Sequence, residues 1–295
     1  MSAIPDPSYA LTPSGNLRRR QVISRAFVTA TIAAATLAVA VLVILVFYAA
    51  KHGISQFSGH FFISTLPPYD GVGGGLGPAL AGTAEMVLMA TIIALPVGVL
   101  TALYLAEFSG PRIGKVIQTA LEQMAGLPTI VVGLFIYGLI VVHFGPSAIA
   151  GALALSIVEV PLIARASLEA IRRVPGNLRE AADALGVSRW RTVVGVILPT
   201  ASNGIVTATI LAVARAAGET APVLLTSNTG NLGYQLNPTQ PVQSVPLEIL
   251  NLMNSGYPSA VAKAWGAAFL LIVAILAINI SARVWLRRSE RKRGL

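Results

Sequence analysis

Residues 180–199 read EAADALGVSRWRTVVGVILP and lie between two long apolar segments of the chain. The pattern predicts two short helices separated by a turn. Gly186 can take the left-handed backbone conformation that ends a helix, and Ser188 can cap the next helix through its hydroxyl. Pro199 indicates where the following span begins. We therefore expect a compact helix-turn-helix at the membrane surface, with a shape suited to docking on another protein.

The composition is that of a membrane protein. Of the 295 residues, 55% are hydrophobic and 11% are charged, whereas a soluble domain carries roughly 25% charged residues. The chain has no cysteine, which excludes disulfides, thiolate catalysis and Cys-ligated metals. Its three histidines are scattered without metal-ligand spacing, so we expect no metal site and no cofactor.

Six apolar segments are long enough to span a membrane, which predicts an all-α polytopic protein with six transmembrane helices. They lie at about 27–50, 82–106, 127–145, 148–165, 203–226 and 260–282. The first segment follows a basic run, as a signal sequence does. It exceeds the roughly 7–15 residues of a signal core, so we interpret it as a retained first span. A second amphipathic helix is expected at Ile113–Met124, before the third span.

The positive charges predict the topology. Nearly all Lys and Arg residues fall in the two tails and after the second and fourth spans, which places these parts on the cytoplasmic side. The expected order is a cytoplasmic basic tail, a first transmembrane helix, an extracytoplasmic loop, a five-helix core with a cytoplasmic coupling loop, and a second basic tail. These parts correspond to 1–26, 27–50, 51–81, 82–282 with the coupling loop at 166–200, and 283–295. The net charge of +9 then reflects topology and attraction to lipid headgroups, and no nucleic acid is expected as a partner.

One arginine lies within an apolar span. Arg215 and Glu219 are four residues apart, so a helix would place them on one face. An arginine at the bilayer centre costs roughly 2.5–3.5 kcal/mol, and such a residue faces the bundle interior or a water-filled path. Its planar guanidinium can donate two hydrogen bonds to an oxyanion. Two interpretations remain open, an anion path or a structural ion pair. Gly218 and Pro222 flank the pair, so we expect the helix to loosen there and expose backbone amides.

Two further carboxylates, Glu85 and Glu159, lie in or near the second and fourth spans. Either can pair with Arg215 or with a basic residue on another subunit. A carboxylate would repel an anionic substrate, so gating or ion pairing is the predicted role. Pro161 follows Glu159 closely and predicts a kink in the fourth span.

Several stretches resemble a known family. Residues 180–199 look like the signature loop of bacterial ABC-importer permeases, E-A-A-x3-G-x9-I-x-L-P, with Val196 in place of Ile. The segments ARAAGETAP (214–222), AGLPTIVVGLF (125–135) and 82–107 are similar to the permeases of bacterial high-affinity phosphate importers. The resemblance is strongest to the second of their two related permease subunits, and it covers roughly residues 72–282.

The resemblance implies a type I ABC-importer permease fold in the bacterial inner membrane, with both termini cytoplasmic and no catalytic residue in this chain. It implies an ATPase dimer, a related sister permease in a heterodimer, and an extracytoplasmic phosphate-binding protein as partners. The expected ATPase-coupling residues are Glu180, Ala181, Ala182, Gly186, Leu198 and Pro199. The expected substrate path includes Arg215, Glu219 and Thr220.

Three alternatives stay open. An intramembrane arginine suits any oxyanion, so a permease for sulfate, molybdate or another solute fits the same charge pattern. A secondary transporter or channel that works alone would also need apolar spans, but it would leave the docking loop unexplained. A second role in reporting phosphate status to a sensor is compatible with either.

Overall fold

A computed structural model of the chain describes residues 16–68, 70–228 and 231–292, and these ranges form helices and connecting segments without strands. The predicted all-α class is therefore confirmed. Of the two predicted tails, residues 1–15 and 293–295 lie outside the described residues.

The α-helices are α1 (Leu17–Gly53), α2 (Gly59–Ile63), α3 (Gly77–Leu103), α4 (Pro111–Gly126), α5 (Thr129–Ile136), α6 (Val142–Phe144), α7 (Ala148–Arg172), α8 (Gly176–Ala184), α9 (Arg189–Thr192), α10 (Leu198–Ala216), α11 (Ala221–Thr226), α12 (Val245–Asn254) and α13 (Pro258–Lys292). Three π-helical segments occur at Tyr104–Phe108, Tyr137–Val141 and Val193–Ile197, and a 3-10 turn occurs at Ile54–Gln56.

The chain divides into two compact units. The first, Met1–Tyr48, contains most of α1, whose described side chains are almost all exposed apolar groups. Such a helix is soluble only in lipid or against another apolar surface, as a membrane span requires. The second unit, Ala49–Leu295, contains the remaining helices.

Within the second unit, α3 and α10 both pack along α7. Small residues line these contacts and are almost fully buried: Ala90, Ala94, Ala102, Ala164 and Ala212. Small side chains let helices approach closely, which is how spans associate when lipid removes the hydrophobic driving force between them. The last turns of α3 and α7 and the first turns of α10 share one apolar cluster, which we name the loop end. The first turns of α3 and α7 meet α11 and α12 at the opposite end.

Within the described residues, five helices are long and apolar enough to cross a membrane, or six if one bent pair counts as a single span. The span predicted at 127–145 corresponds to the second part of this bent pair. Its two parts, Pro111–Gly126 and Thr129–Phe144, meet at an angle of 96°. Leu127 and Pro128 form the corner in extended backbone, because proline restricts the residue before it to that region. The amphipathic helix expected at Ile113–Met124 is confirmed as α4.

The span predicted at 203–226 is also broken. Continuous helical structure begins at Arg189 and ends at Ala216, and α11 starts only at Ala221. Pro222 falls in the first turn of α11, where a missing N–H is tolerated. In contrast, α7 runs without interruption from Ala148 to Arg172 around Pro161.

The helices α3 and α7 approach each other closely at Gly98. A Cβ atom at this position would lie 2.8 Å from Cγ2 of Ile163 and 3.2 Å from the backbone nitrogen of Ala164. The neighbouring atoms are a branched methyl group and backbone, which cannot swing aside. The two spans therefore fit together only without a side chain at this position.

We predict that Gly98→Val lowers the thermal unfolding midpoint of the detergent-purified chain by several degrees, because overpacking costs about 1–3 kcal/mol. Gly138→Val is the matched control, since a Cβ at Gly138 meets no atom within 4 Å. Circular dichroism at a helical wavelength measures both midpoints. Equal midpoints for the two variants would contradict the close α3–α7 packing.

Candidate functional site

The predicted helix-turn-helix is present at the loop end as α8, a turn at Gly186, and α9. Gly186 has φ +68°, which a non-glycine residue rarely adopts. The N–H of Gly186 donates to the carbonyl of Asp183 (3.0 Å), and the N–H of Val187 donates to that of Ala182 (3.0 Å). This pair of bonds is a Schellman motif, which satisfies the last carbonyls of α8. Ser188 lies at the N-cap position of α9, but its hydroxyl caps nothing there; its carbonyl accepts from the N–H of Thr192 instead.

The hairpin, residues 173–192, presents a specific outer surface. Glu180 and Ala181 are exposed, and their role in coupling stays a prediction. Ala182 is a correction, because its side chain is buried and its exposed fraction is only 7%. The most exposed large apolar side chains of the hairpin are Leu185 (81% exposed) and Trp190 (61% exposed). Trp190 was missed from sequence, although a tryptophan within a basic loop is itself a signal of an interface.

Leu198 and Pro199 belong to a helix rather than to a boundary. Helical structure continues from Arg189 through the π-helical segment Val193–Ile197 into α10, so Pro199 does not mark the start of a span. A proline inside a helix removes one donor and its ring clashes with the carbonyl four residues earlier. The π-helical turn just before Pro199 widens the helix at that point, which accommodates the ring.

An ion pair joins the hairpin to the bundle. Arg179 on α8 donates from Nε and Nη2 to the Oε1 atom of Glu107, at 3.1 and 2.9 Å. The same guanidinium donates to the carbonyls of Val174 and Ile171 at the end of α7. Glu107 follows α3 and is 7% exposed, so its charge depends on this partner. Beside it, the guanidinium carbon of Arg189 lies 5.5 Å from the ring centroid of Phe108.

The sequence did not reveal this anchor, because Glu107 and Arg179 are 72 positions apart. The sequence near Glu107 gives one indication of this ion pair. Glu107 is an acidic residue that directly follows an apolar span, on the side of the chain where the loops are basic. One side chain thus contacts the ends of both α3 and α7. A displacement of α8 is consequently coupled to both helices.

Arg215 lies in the last turn of α10, and Glu219 lies in the segment that links α10 to α11. The Nε atom of Arg215 is 3.3 Å from Oε1 of Glu219, which confirms that the two side chains meet. The side chain of Arg215 is 53% exposed and that of Glu219 is 15% exposed. Thr220, the next residue, is half-buried at the N-cap position of α11.

Arg215 faces a narrow cleft. The cleft is lined by the corner between α4 and α5 and by Val158 and Leu162 at the middle of α7. Its volume is only about 20 Å³, so it is closed in this conformation. The expectation that backbone amides are exposed here is wrong. The N–H groups of Gly218 and Glu219 donate to the carbonyls of Arg215 and Ala216.

The two other carboxylates do not approach Arg215 within 4.0 Å among the described residues. Glu159 is fully buried, and the hydroxyl of Thr91 on α3 lies 3.1 Å from its Oε2 atom. Glu85 has a buried Oε2 atom without a hydrogen-bond partner in the described part of the chain. Their gating or ion-pairing role stays a prediction.

The chain thus combines a bundle of apolar helices with an exposed hairpin that an ion pair anchors at one end. Residues 94–294 match the model of the family described as binding-protein-dependent transport system inner membrane component. The chain belongs to this family, which confirms the predicted class. It is accordingly a multi-pass membrane component for transport rather than an enzyme.

Curated relatives are similar along most of the chain. The phosphate transport system permease protein PstA of Yersinia pestis is 35% identical over 270 residues, which cover 90% of each protein. The protein of the same name from Xylella fastidiosa strain Temecula1 is 36% identical, covering 92% of this chain and 96% of its own. A probable PstA of Methanocaldococcus jannaschii is 39% identical over 215 residues, or 72% of this chain and 76% of its own.

Solved structures of ABC transporters share the fold. A bacterial alginate ABC transporter, crystallised with an alginate-bound periplasmic protein, has a chain with a TM-score of 0.62 at 18% identity, covering 92% of this chain and 96% of its own. The methionine transporter MetNI in an inward-facing conformation has a chain with a TM-score of 0.57 at 21% identity, covering 72% of this chain and 94% of its own. At these identities the likeness concerns the fold alone, and it confirms the predicted ABC-importer permease fold.

We predict that Arg179→Met loosens the hairpin, because it leaves Glu107 buried without its partner, at a cost of about 3–5 kcal/mol. Hydrogen exchange of the amides in 176–187 should accelerate by at least about ten-fold. Arg172→Met is the matched control. Its partner Glu169 is 3.8 Å away and both side chains are largely exposed, so that exchange should not change.

A double variant separates the ion pair from simple loss of packing. Glu107→Gln combined with Arg179→Met removes the uncompensated charge, so exchange in 176–187 should return part of the way to the rate of the unsubstituted protein. Exchange as fast as in Arg179→Met alone would contradict the role given to the charge of Glu107.

Proposed function

We propose that this chain is a transmembrane permease subunit of an ATP-driven importer of inorganic phosphate. The observation that carries the proposal is the similarity to phosphate transport system permeases, which extends over about nine-tenths of the chain in two of the relatives. The intramembrane Arg215 and its cleft support it, because they give the chain a cationic group suited to an oxyanion.

The proposed complex has this chain beside a related sister permease, above a dimer of ATPase subunits and below an extracytoplasmic phosphate-binding protein. The hairpin and both termini lie on the cytoplasmic side, in agreement with the distribution of Lys and Arg. Membrane lipid surrounds the spans. The half-exposed Arg215 supports the heterodimer, since a charge in a bilayer must face either a partner or water.

The hairpin is the proposed contact with the ATPase. Leu185 and Trp190 supply exposed apolar contacts, and Glu180 and Ala181 lie beside them on the same short hairpin. Gly186 fixes the turn that presents these side chains. When the ATPase closes on ATP and displaces the hairpin, Arg179 transmits the displacement to the ends of α3 and α7 through Glu107 and the last carbonyls of α7.

Arg215, Glu219 and Thr220 are the proposed substrate path. Glu219 engages Nε of Arg215, and no other described residue accepts from its two terminal nitrogens. Those nitrogens are the donors that can receive phosphate oxygens in a charge-assisted contact. Movement of α7 past the corner between α4 and α5 would open the cleft, because these elements line it together with Arg215.

Labelled phosphate uptake at low external phosphate tests the function. Deletion of the chain should abolish uptake, and Arg215→Gln should reduce it at least about ten-fold, since a hydrogen bond to a charged group contributes about 1.5–3 kcal/mol. Arg172→Gln removes the same charge from an exposed site at the loop end and should leave uptake unchanged. Expression and assembly are checked in each strain.

Unchanged uptake after deletion, with no redundant importer, would overturn the phosphate assignment. Competition by sulfate or molybdate as effective as that by phosphate would assign the permease to a different oxyanion. Uptake that persists after ATP depletion at a maintained membrane potential would favour a transporter that works alone.

We predict that Gly186→Val uncouples ATP hydrolysis from uptake while membrane insertion stays normal. The substitution meets no steric obstacle, since a Cβ at Gly186 has no neighbour within 4 Å, but it destabilises the positive φ by about 1–2 kcal/mol. Gly195→Val is the control, because Gly195 has equal space around it and lies in a right-handed helical turn. Normal uptake per ATP hydrolysed in Gly186→Val would count against the hairpin as the coupling element.

A further inference from the structure

A polar pocket of about 490 Å³ opens at the end of the bundle opposite the hairpin. One wall comes from Leu66 to Pro68, before α3, and the other comes from the chain between α11 and α13. Its polar lining consists of amide side chains, one carboxyl group and one hydroxyl group: Asn228, Asn231, Gln243, Glu248, Asn251, Asn254 and Ser255. The volume lies within the roughly 300–1,000 Å³ of pockets that hold organic groups.

Two of these side chains are buried and incompletely bonded. Gln243 and Glu248 are each 4% exposed, and Nε2 of Gln243 donates to Oε2 of Glu248 at 3.0 Å. The Oε1 atom of Gln243 is buried and accepts no hydrogen bond from the described residues. A buried acceptor without a donor is unfavourable by about 1–3 kcal/mol, so its persistence points to a ligand that donates.

The charge around the pocket favours a cation. Glu248 has no ion pair within 4.0 Å among the described residues. The nearest cation, Lys263 on α13, is 3.4 Å from the carbonyl oxygen of Gly74, and it interacts electrostatically with Asp70 as well as with Glu248. Burial raises the pKa of Glu248, while the bond from Gln243 and the charge of Lys263 act in the opposite direction.

The walls of the pocket are fixed in place by hydrogen bonds. The N–H of Leu66 donates to the carbonyl of Leu232 at 2.8 Å, which ties the two walls together. The hydroxyl of Ser227 donates to the carbonyl of Val242 and accepts from its N–H. Ser244 caps α12, which holds Glu248 in its first turn. These bonds hold the pocket walls around Gln243 and Glu248 in a defined arrangement.

We propose that this pocket receives one lysine or arginine side chain of the extracytoplasmic binding protein that docks on this end of the chain. A basic side chain supplies the donor that the Oε1 atom of Gln243 lacks, and it places a cation directly beside Glu248, which among the described residues has the charge of Lys263 but no ion pair within 4.0 Å. Phosphate itself is disfavoured here, because the buried groups that lack partners are acceptors. The proposal rests on the proposed function, from which it takes the binding protein and the side of the membrane.

The test measures the affinity of the purified phosphate-binding protein for the assembled transporter in lipid nanodiscs, over a series of salt concentrations. Glu248→Gln should weaken binding at least about ten-fold and flatten its salt dependence, as expected when one desolvated charge pair is lost. Asp70→Asn is the matched control, since it removes an acidic charge at the same end outside the pocket lining and should change affinity less than about two-fold.

A second pair of variants avoids the buried residues. Asn254 is an exposed residue of the pocket lining, so Asn254→Lys should weaken docking and Asn254→Asp should strengthen it without affecting folding. If Glu248→Gln does not assemble, this pair decides the outcome. Equal affinities for Asn254→Lys and Asn254→Asp, or an unchanged affinity in Glu248→Gln, would overturn the proposal.

Two other outcomes of these experiments can be distinguished from a change in affinity. Loss of the sister permease from purified Glu248→Gln transporter, with normal amounts of this chain, would assign the pocket to the contact between permeases and overturn the proposal. Failure of the unsubstituted transporter to bind the phosphate-binding protein at all would instead contradict the proposed function.

Discussion

Inside a bilayer each backbone N–H and C=O group must find its partner within the protein, and this constraint explains where the chain departs from straight helices. The π-helical turn at Tyr104–Phe108 keeps its bonding, since the N–H of Ser109 donates to the carbonyl of Tyr104 at 2.8 Å. Buried hydroxyls follow the same rule, as the Oγ1 of Thr91 lies 2.8 Å from the carbonyl of Val87. The backbone after α10 is hydrogen-bonded as well, because the N–H groups of Gly218 and Glu219 donate to carbonyls in the last turn of α10. Arg215 and Glu219 therefore meet on a defined backbone rather than on a flexible loop.

The hairpin depends on a different kind of interaction, a charge pair at the boundary between the bundle and water. The Schellman turn at Gly186 makes the hairpin a rigid body, but it does not attach that body to the spans. Arg179 attaches it, because its donors reach Glu107 after α3 and two carbonyls at the end of α7, and Val174 packs in the apolar cluster beside them. Since Glu107 is almost fully buried, its charge has nowhere else to find compensation. Rigidity and attachment are thus separate properties, carried by separate residues, and a docking element that moves helices requires both.

Local patterns predicted the parts of the structure that local interactions determine. The apolar segments, the turn at Gly186, and the contact between Arg215 and Glu219 all follow from the spacing of residues along one stretch of chain. The boundary between α4 and α5 agrees with the one expected between Met124 and residue 127, but the angle of 96° did not follow from the sequence, because packing decides how sharply the chain turns at Leu127 and Pro128. The inward orientation of Ala182 and the pairing of Glu107 with Arg179 depend on contacts between distant segments. The same applies to the pocket around Gln243 and Glu248, whose walls come from two separate connections.

The cleft at Arg215 and the pocket at Glu248 carry charges of opposite sign, so the two sites favour ligands of opposite charge. Arg215 offers donors and a positive charge at the level of the middle of α7, where an oxyanion can be held but a basic side chain is repelled. Glu248 and Gln243 offer acceptors at the end of the bundle, where a basic side chain can be held but an oxyanion is repelled. A partner that docks through a cation therefore does not compete with an anionic substrate for Arg215.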